Sequence, residues 1–206
     1  MSGVRRRPPK AFASAPLDVV TIGPGTTGRR IYPSIHQDPL GVGQSPSRFS
    51  DPRINLPPAA RFAVLYLGST LKVCFLEAVL RDRRNGKVGD IPIPYAELQS
   101  WTCADIAATE PLTLVDLRGD GLVRMGVPTD AVRASRHHWG QLWALGFWAH
   151  GSAPDGIIYP SRLNEKVAIA VFDRAFPKLA ATSVRPLLDC RAAMADIIRT
   201  FKLAIL

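Results

Sequence analysis

The residues of this chain best suited to chemistry are one acid in an oily run and the arginines, tyrosines and serines that could converge on it. In "LYLGSTLKVCFLEAVLRD", residues 65–82, Glu77 stands among Leu, Val, Cys, Phe and Ala. At helical spacing its neighbours are Val73, Leu76 and Leu80, all apolar. An ionised carboxylate in such company is costly unless it pairs with a cation, keeps a proton or faces a polar cavity. Two readings stay open: a structural acid bonded to an arginine, or a reactive carboxylate turned toward a ligand. The second needs polar partners from elsewhere in the chain.

Candidates exist. Arg48 lies in "SPSRFSDPR" beside Phe49, where a planar guanidinium can fork onto a phosphate or a carboxylate. Arg30 opens an apolar stretch in "GRRIY", with Arg29 next to it, and Arg61 abuts the first clear strand. For any single arginine among 26 basic residues a solvated surface role is the ordinary one. Tyr66 directly precedes the Glu77 helix and serves equally as a core tyrosine with a bonded hydroxyl. Ser135, at the start of a Trp-bearing helix, suits capping, and Ser161, in "IIYPSRLN", suits a turn. Neither serine sits in a GxSxG elbow, and "GPGTTG" is not followed by the Lys-Ser/Thr pair of a phosphate-binding loop.

The elements that must position these side chains read as follows. Residues 1–60 carry turn chemistry almost continuously and are expected to be irregular, pinned by Ile31, Tyr32, Phe49 and Ile54. "FAVLYLG" is a buried strand closed by Gly68, and Ser69 or Thr70 caps a helix running through Leu80 that is apolar nearly all round and therefore buried. "PYAELQSWTCADIAA" reads as a helix and "PLTLVDLRG" as a strand. "ASRHHWGQLWALGFWAH" reads as a helix, "DGIIYPSRLNE" as a short strand and turn, "VAIAVFD" as a strand, and the final segment as a helix with strand character at its end. Without regular βαβ alternation the fold class is α+β, with a mixed β core flanked by helices.

At 206 residues the chain is expected to form one domain, placed at residues 21–206 behind a flexible basic tail at residues 1–20, and to bury roughly 70% of its surface. No apolar run approaches a membrane span and no signal-peptide core follows the N-terminal arginines, so a cytoplasmic setting is expected. Cys74, Cys103 and Cys190 are widely spaced and expected as reduced core thiols. Adjacent His137 and His138 point about 100° apart on a helix, so no metal is expected. The net charge of +9 favours polyanions, yet the basic residues are scattered without a recognition helix. A phosphate-bearing small molecule or an acidic protein suits such a surface as well as nucleic acid does, and direct nucleic-acid binding is not expected.

Taken in order, "RFSDPR", "FAVLYLGSTLKVCFLEAVLRD", "PLTLVDLRGDGLVRMG", "SRHHWGQLW" and "DGIIYPSRLNEKVAIAVFDRA" resemble the RES domain family, the toxin halves of bacterial toxin–antitoxin pairs. The resemblance implies an ADP-ribosyltransferase-like single domain with a cleft for NAD, used as substrate and cleaved between nicotinamide and ribose with water or phosphate as acceptor. It also implies a protein antitoxin of the Xre type as partner, and a possible homodimer. Some relatives transfer ADP-ribose to a protein instead, and an inert binding protein of the same fold is a further alternative. Position by position, the resemblance assigns catalysis to Glu77, Arg48 and Ser135, and NAD binding to Arg30, Arg48, Tyr66, Ser135 and Ser161. Arg29 competes with Arg30 for its place, and Ser135 is preferred over Ser161 for ligand contact.

Overall fold

Strand pairing, more than helical propensity, decides the layout of this chain. The computed structural model describes residues 7–43, 45–81, 83 and 86–206. Among these the strands are β1 (Val19–Ile22), β2 (Thr27–Pro33), β3 (Val64–Gly68), β4 (Ile91–Ile93), β5 (Trp101–Ala108), β6 (Leu112–Asp116), β7 (Gly156–Pro160), β8 (Val167–Phe172), β9 (Leu179–Pro186) and β10 (Leu203–Ile205). Eight of them form one sheet in the order β1-β6-β7-β8-β3-β2-β5-β9, and β4 pairs with β10 alone. Within the large sheet only β6 and β7 run parallel. The helices are α1 (Leu71–Phe75), α2 (Tyr95–Gln99), α3 (Gly121–Arg124), α4 (Asp130–Arg133), α5 (His138–Trp148) and α6 (Arg191–Phe201). The α+β class expected from the sequence is the one observed.

Three expectations are corrected. Residues 1–60 are not irregular throughout, because β1 and β2 lie inside them and the first four residues of "GPGTTG" are the turn between the two, with Gly25 at φ +81°. The tail does not extend to residue 20: Phe12 is buried edge-on against Trp143 and Phe147, and Val19 and Val20 already pair with β6. Residues 1–6 of that expected tail lie outside the described residues. "WTCADIAA" is strand β5, not helix, because it bonds to β2 on one side and to β9 on the other, and its alanines fit a sheet interior as readily as a helix. The sequence reading had no counterpart for β9 at all.

Two apolar layers hold the sheet. On one side α5 brings Trp143 and Phe147 onto Phe12, Phe62 and Phe172. On the same face Phe75 and Val79 from the segment around α1 meet Met194 and Ile197 of α6, and the opposite face is covered by Leu65, Leu67, Ile106, Leu114 and Val171. Thr70 caps α1 by accepting from the Val73 N–H at 3.3 Å. The expected single helix through Leu80 then changes type: Leu76–Leu80 is a π-helical turn, closed by the Arg81 N–H on the Leu76 carbonyl at 2.6 Å. Such insertions turn a helix locally and recur at functional sites. Glu77 lies in this turn.

Gly68 ends β3 beneath α1, and a Cβ there would stand 2.4 Å from Val73 Cγ1 and 2.6 Å from Cys74 Sγ. The helix sits this close to the strand only because the methyl group is missing. Gly68→Ala is therefore expected to push α1 off the sheet and lower Tm by roughly 3–10 °C, the consequence of overpacking by about 1–3 kcal/mol in a domain of this size. Exposed Ser69→Ala is the control and is expected to melt with the parent in differential scanning calorimetry.

Candidate active site

A cavity of about 230 Å³ opens beside the π-helical turn, lined by Arg30, Arg48, Tyr66, Gly68, Glu77, Tyr159 and Arg162 among others. Its floor follows from register. Tyr159 of β7 faces Ala168 of β8, Ala168 faces Gly68 of β3, and Gly68 faces Arg29 of β2. Two of the smallest side chains therefore occupy the middle of the row, and the space that larger ones would fill is left open. Strand alternation sends Arg29 and Arg30 to opposite faces. Arg30 lines the cavity, whereas Arg29, which shares the row of Gly68, is turned to Asp105 of β5 at 3.2 Å.

Glu77 faces this cavity, which resolves the puzzle of its apolar neighbours. The Ser161 hydroxyl donates to Glu77 Oε1 at 2.5 Å and accepts from the Leu163 N–H at 3.2 Å. Ser161 is completely buried, so it positions the carboxylate. Ser135, the serine preferred from the sequence, is not brought here: it lies in a separate hollow with Asp130, Arg136 and Trp139. The expected cap is also absent, since α5 starts only at His138 and no side chain caps it.

Arg48 and Tyr66 reach the cavity through a pinned loop. The Tyr66 hydroxyl accepts from the Phe49 N–H at 2.8 Å and shares a hydrogen bond with the Ser47 hydroxyl at 2.9 Å. Gln141 of α5 donates to the Ser47 carbonyl at 3.0 Å, and Phe49 packs edge-on against Tyr159. Gly140 lets α5 approach, because a Cβ there would stand 2.5 Å from the Arg48 carbonyl oxygen. So held, the Arg48 guanidinium donates to the Ala134 carbonyl at 2.8 Å, and Arg30 donates to the carbonyls of Pro39 and Gly41 at 2.5 and 2.6 Å. Burial lowers the pKa of both guanidinium groups, and at Arg48 the nearby Tyr159 and Glu77 oppose that effect.

Sequence reasoning missed Tyr159, Arg162, Arg81 and His137 as cavity residues. Tyr159 precedes Ser161 by two, so strand alternation puts both on one face and was the signal available for it. Burial raises its pKa well above the ordinary tyrosine value. Arg81 follows the π turn with φ +35°, a strained value for a residue with a Cβ, and its Nη2 lies 3.2 Å from His137 Nε2. Cys74 also lines the cavity, but its thiol donates to the Arg29 carbonyl at 3.0 Å and burial pushes it up to about 12, so it is no nucleophile. Arg61 lies in a smaller hollow behind the Arg48 loop. No group of three His, Cys, Asp or Glu among the described residues is placed to hold a metal ion.

The arrangement is one carboxylate set among several arginines and two tyrosine rings. Comparison with known proteins gives it context. A protein-family model described as RES domain matches residues 26–192. A Sinorhizobium fredii protein described as probable toxin y4kH is 49% identical over 126 residues, which cover 61% of this chain and 99% of that protein. Among solved structures, a chain of the M. tuberculosis MbcT-MbcA toxin-antitoxin complex superposes with a TM-score of 0.59 at 18% identity, covering 85% of this chain and 92% of that one. The likeness bears out the ADP-ribosyltransferase-like fold.

Tyr66→Phe tests the pin on the Arg48 loop. Removing the hydroxyl strands the Phe49 N–H, and about 1–2 kcal/mol of stability is expected to be lost near neutral pH. Burial raises the Tyr66 pKa to about 12 from an ordinary 10. Above pH 10 the unfolded chain therefore gives up a proton that the folded chain keeps, so this contribution is intact below pH 10 and lost as pH rises toward 12. Urea melts at pH 8, 10 and 11.5 are expected to show the parent losing up to about 2 kcal/mol more than Tyr66→Phe over that interval; parallel curves would exclude the buried phenol as the cause.

Proposed function

The chain belongs to the RES domain family, and on that footing we propose that it is a toxin enzyme that binds NAD in the Glu77 cavity and cleaves the nicotinamide–ribose bond. The observation that carries the reading is a single carboxylate, oriented by a buried hydroxyl, facing a cavity whose other charged lining is arginine. Breaking this N-glycosidic bond leaves the bonding pair on nicotinamide, which departs neutral, and develops positive charge on the ribose. A fixed negative charge at that point stabilises the transition state without having to reorganise. Water or phosphate then supplies the oxygen that bonds to the anomeric carbon.

The cavity is smaller than the roughly 300–1,000 Å³ of pockets that enclose a whole drug-sized ligand. It suits the nicotinamide and its ribose, with the remaining nucleotide lying toward the mouth. Tyr66 and Tyr159 offer aromatic surface to the ring. Arg48 already holds one backbone carbonyl and keeps further N–H groups for the diphosphate. An arginine-lined mouth also favours an acidic protein partner, and we assign that role to an antitoxin of the Xre type, in line with the toxin–antitoxin complex that this fold resembles.

Incubation of the purified protein with NAD, with and without phosphate, and assay of released nicotinamide tests this reading. Glu77→Gln is expected to lower the rate at least ~10²-fold with Tm unchanged within a few degrees. Ser161→Ala is expected to cost roughly tenfold by loosening the carboxylate, and Ser135→Ala nothing. Nicotinamide release that survives in Glu77→Gln, or none from the parent protein under either condition, would remove the assignment.

A further inference from the structure

Away from the Glu77 cavity, two of the three cysteines meet. Cys103 Sγ of β5 and Cys190 Sγ at the start of α6 lie 2.7 Å apart although 87 residues separate them in sequence. That is about 0.7 Å beyond the ~2.05 Å of a disulfide bond, so joining them needs only a small side-chain adjustment. Both line a second hollow, of about 370 Å³, together with Arg29, Arg185 and Asp105. We propose that Cys103 and Cys190 are a redox modification site, converted to a disulfide by peroxide and returned to thiols by a dithiol reductant.

The two sulfurs are not equivalent. Cys190 is half-buried at the hollow, and the Arg185 Nε–H donates to its sulfur at 3.3 Å. The sulfur that the hollow leaves open to an oxidant is therefore that of Cys190. Arg185 is itself held by Asp105 at 3.2 Å and by the Ser183 hydroxyl, so the cation is fixed in place. Cys103 is buried, and its thiol is pushed up to about 12 by that burial and by its hydrogen bond with Cys190. Cys190 is therefore the attacking sulfur and Cys103 the resolving one.

The chemistry balances with one hydrogen peroxide. The Cys190 thiolate attacks one peroxide oxygen, the O–O bond breaks, and the departing hydroxide takes up a proton as water, leaving a sulfenic acid. Cys103 then attacks the Cys190 sulfur, the S–O bond breaks, and the oxygen leaves as a second water carrying the Cys103 proton. Two thiols are oxidised by two electrons and one peroxide is reduced to two waters. Cys74 lies outside this pair, with its thiol on the Arg29 carbonyl, and serves as an internal control.

The location couples the pair to the rest of the fold. Cys103 faces Ile31 in β2, the neighbour of Arg30 in the cavity wall. Cys190 begins α6, which is tied to α1 by the Lys72–Asp196 ion pair at 2.5 Å. A covalent link here joins β5, the strand beside the cavity-wall strand β2, to the helix that braces the Glu77 segment.

The test uses the full reduced chain and dilute hydrogen peroxide. Denaturation and alkylation are expected to label three cysteines before treatment and Cys74 alone after it. Peptide mapping should then find a 103–190 cross-link, the intact mass should fall by two hydrogens, and dithiothreitol should reverse both. Oxidation is expected to raise Tm by roughly 5–10 °C, as closing a long loop does. Three labelled cysteines after treatment, a cross-link involving Cys74, or a 103–190 bond that forms only in urea would overturn the proposal. None of these readouts depends on NAD, so the outcome stands apart from that of the nicotinamide assay.

Discussion

The hydrogen bond from the Ser161 hydroxyl to Glu77 is the constraint from which the geometry of the cavity follows. It joins the π-helical turn after β3 to the residue that follows β7, two points 84 positions apart in the chain. A carboxylate among leucines and valines needs a donor, and a charge-assisted hydroxyl at short distance is a strong one. The donor is in turn oriented. The Ser161 N–H bonds to the Lys166 carbonyl at 2.7 Å and its Oγ accepts from the Leu163 N–H, which leaves the hydroxyl proton for Glu77. Between these two anchors the sheet carries only Ala168 and Gly68 in the facing row, so the acid looks over a hollow.

A second ring of bonds sets the walls. The described residues of the Pro-, Gly- and Ser-rich segment between residues 38 and 53 have no helix or strand of their own, yet their backbone is held by side chains on rigid elements. Arg30 on β2 takes the carbonyls of Pro39 and Gly41, Tyr66 on β3 takes the Phe49 N–H, and Gln141 on α5 takes the Ser47 carbonyl. Asp51, nearly fully buried, accepts from the Phe62 N–H and forms a bidentate pair with Arg53. Several polar residues that look like ligand contacts in the sequence thus do structural work first. The loop bonds of Arg30 and Tyr66 fix the cavity wall, and what remains of each residue faces the cavity.

What could be read from sequence followed the period of the pattern. The β3 strand, its capped helix and α5 were legible because apolar residues recur at spacings that only one element satisfies. Glu77 was legible because a carboxylate violates such a pattern, and violations concentrate where function lies. Irregular structure is a false expectation for residues 1–60 because Gly and Pro mark turns without revealing the strands between them, and "WTCADIAA" resembles a helix because alanine has little preference that tertiary pairing cannot override. The preference for Ser135 over Ser161 fails, since both sit beside turns in the sequence and only the β7 register shows which one reaches Glu77. Nothing local betrays that Cys103 and Cys190 touch; that contact comes from β5 pairing with β9 and from the turn that returns the chain toward β5 after it.

The number of carboxylates bears on the chemistry such a site can support. Hydrolysis of an ordinary O-glycoside calls on two acids, because the departing oxygen needs a proton while the ring carbon needs a negative neighbour or a base. Among the described residues lining this cavity Glu77 is the only carboxylic acid. A pyridinium leaving group removes the need for the second: it carries its positive charge in the ground state and leaves neutral once it takes the bonding pair. One oriented carboxylate then meets the remaining requirement, the charge that develops on the ribose. The surrounding arginines would work against that charge if they faced the reacting carbon. Arg48 is turned by its bond to the Ala134 carbonyl and Arg30 by its bonds to Pro39 and Gly41, toward the loops that form the wall. On the proposed reading this division of charge, with the acid at the sugar and the cations toward the walls and mouth, matches a substrate that is cationic at one end and anionic along its diphosphate.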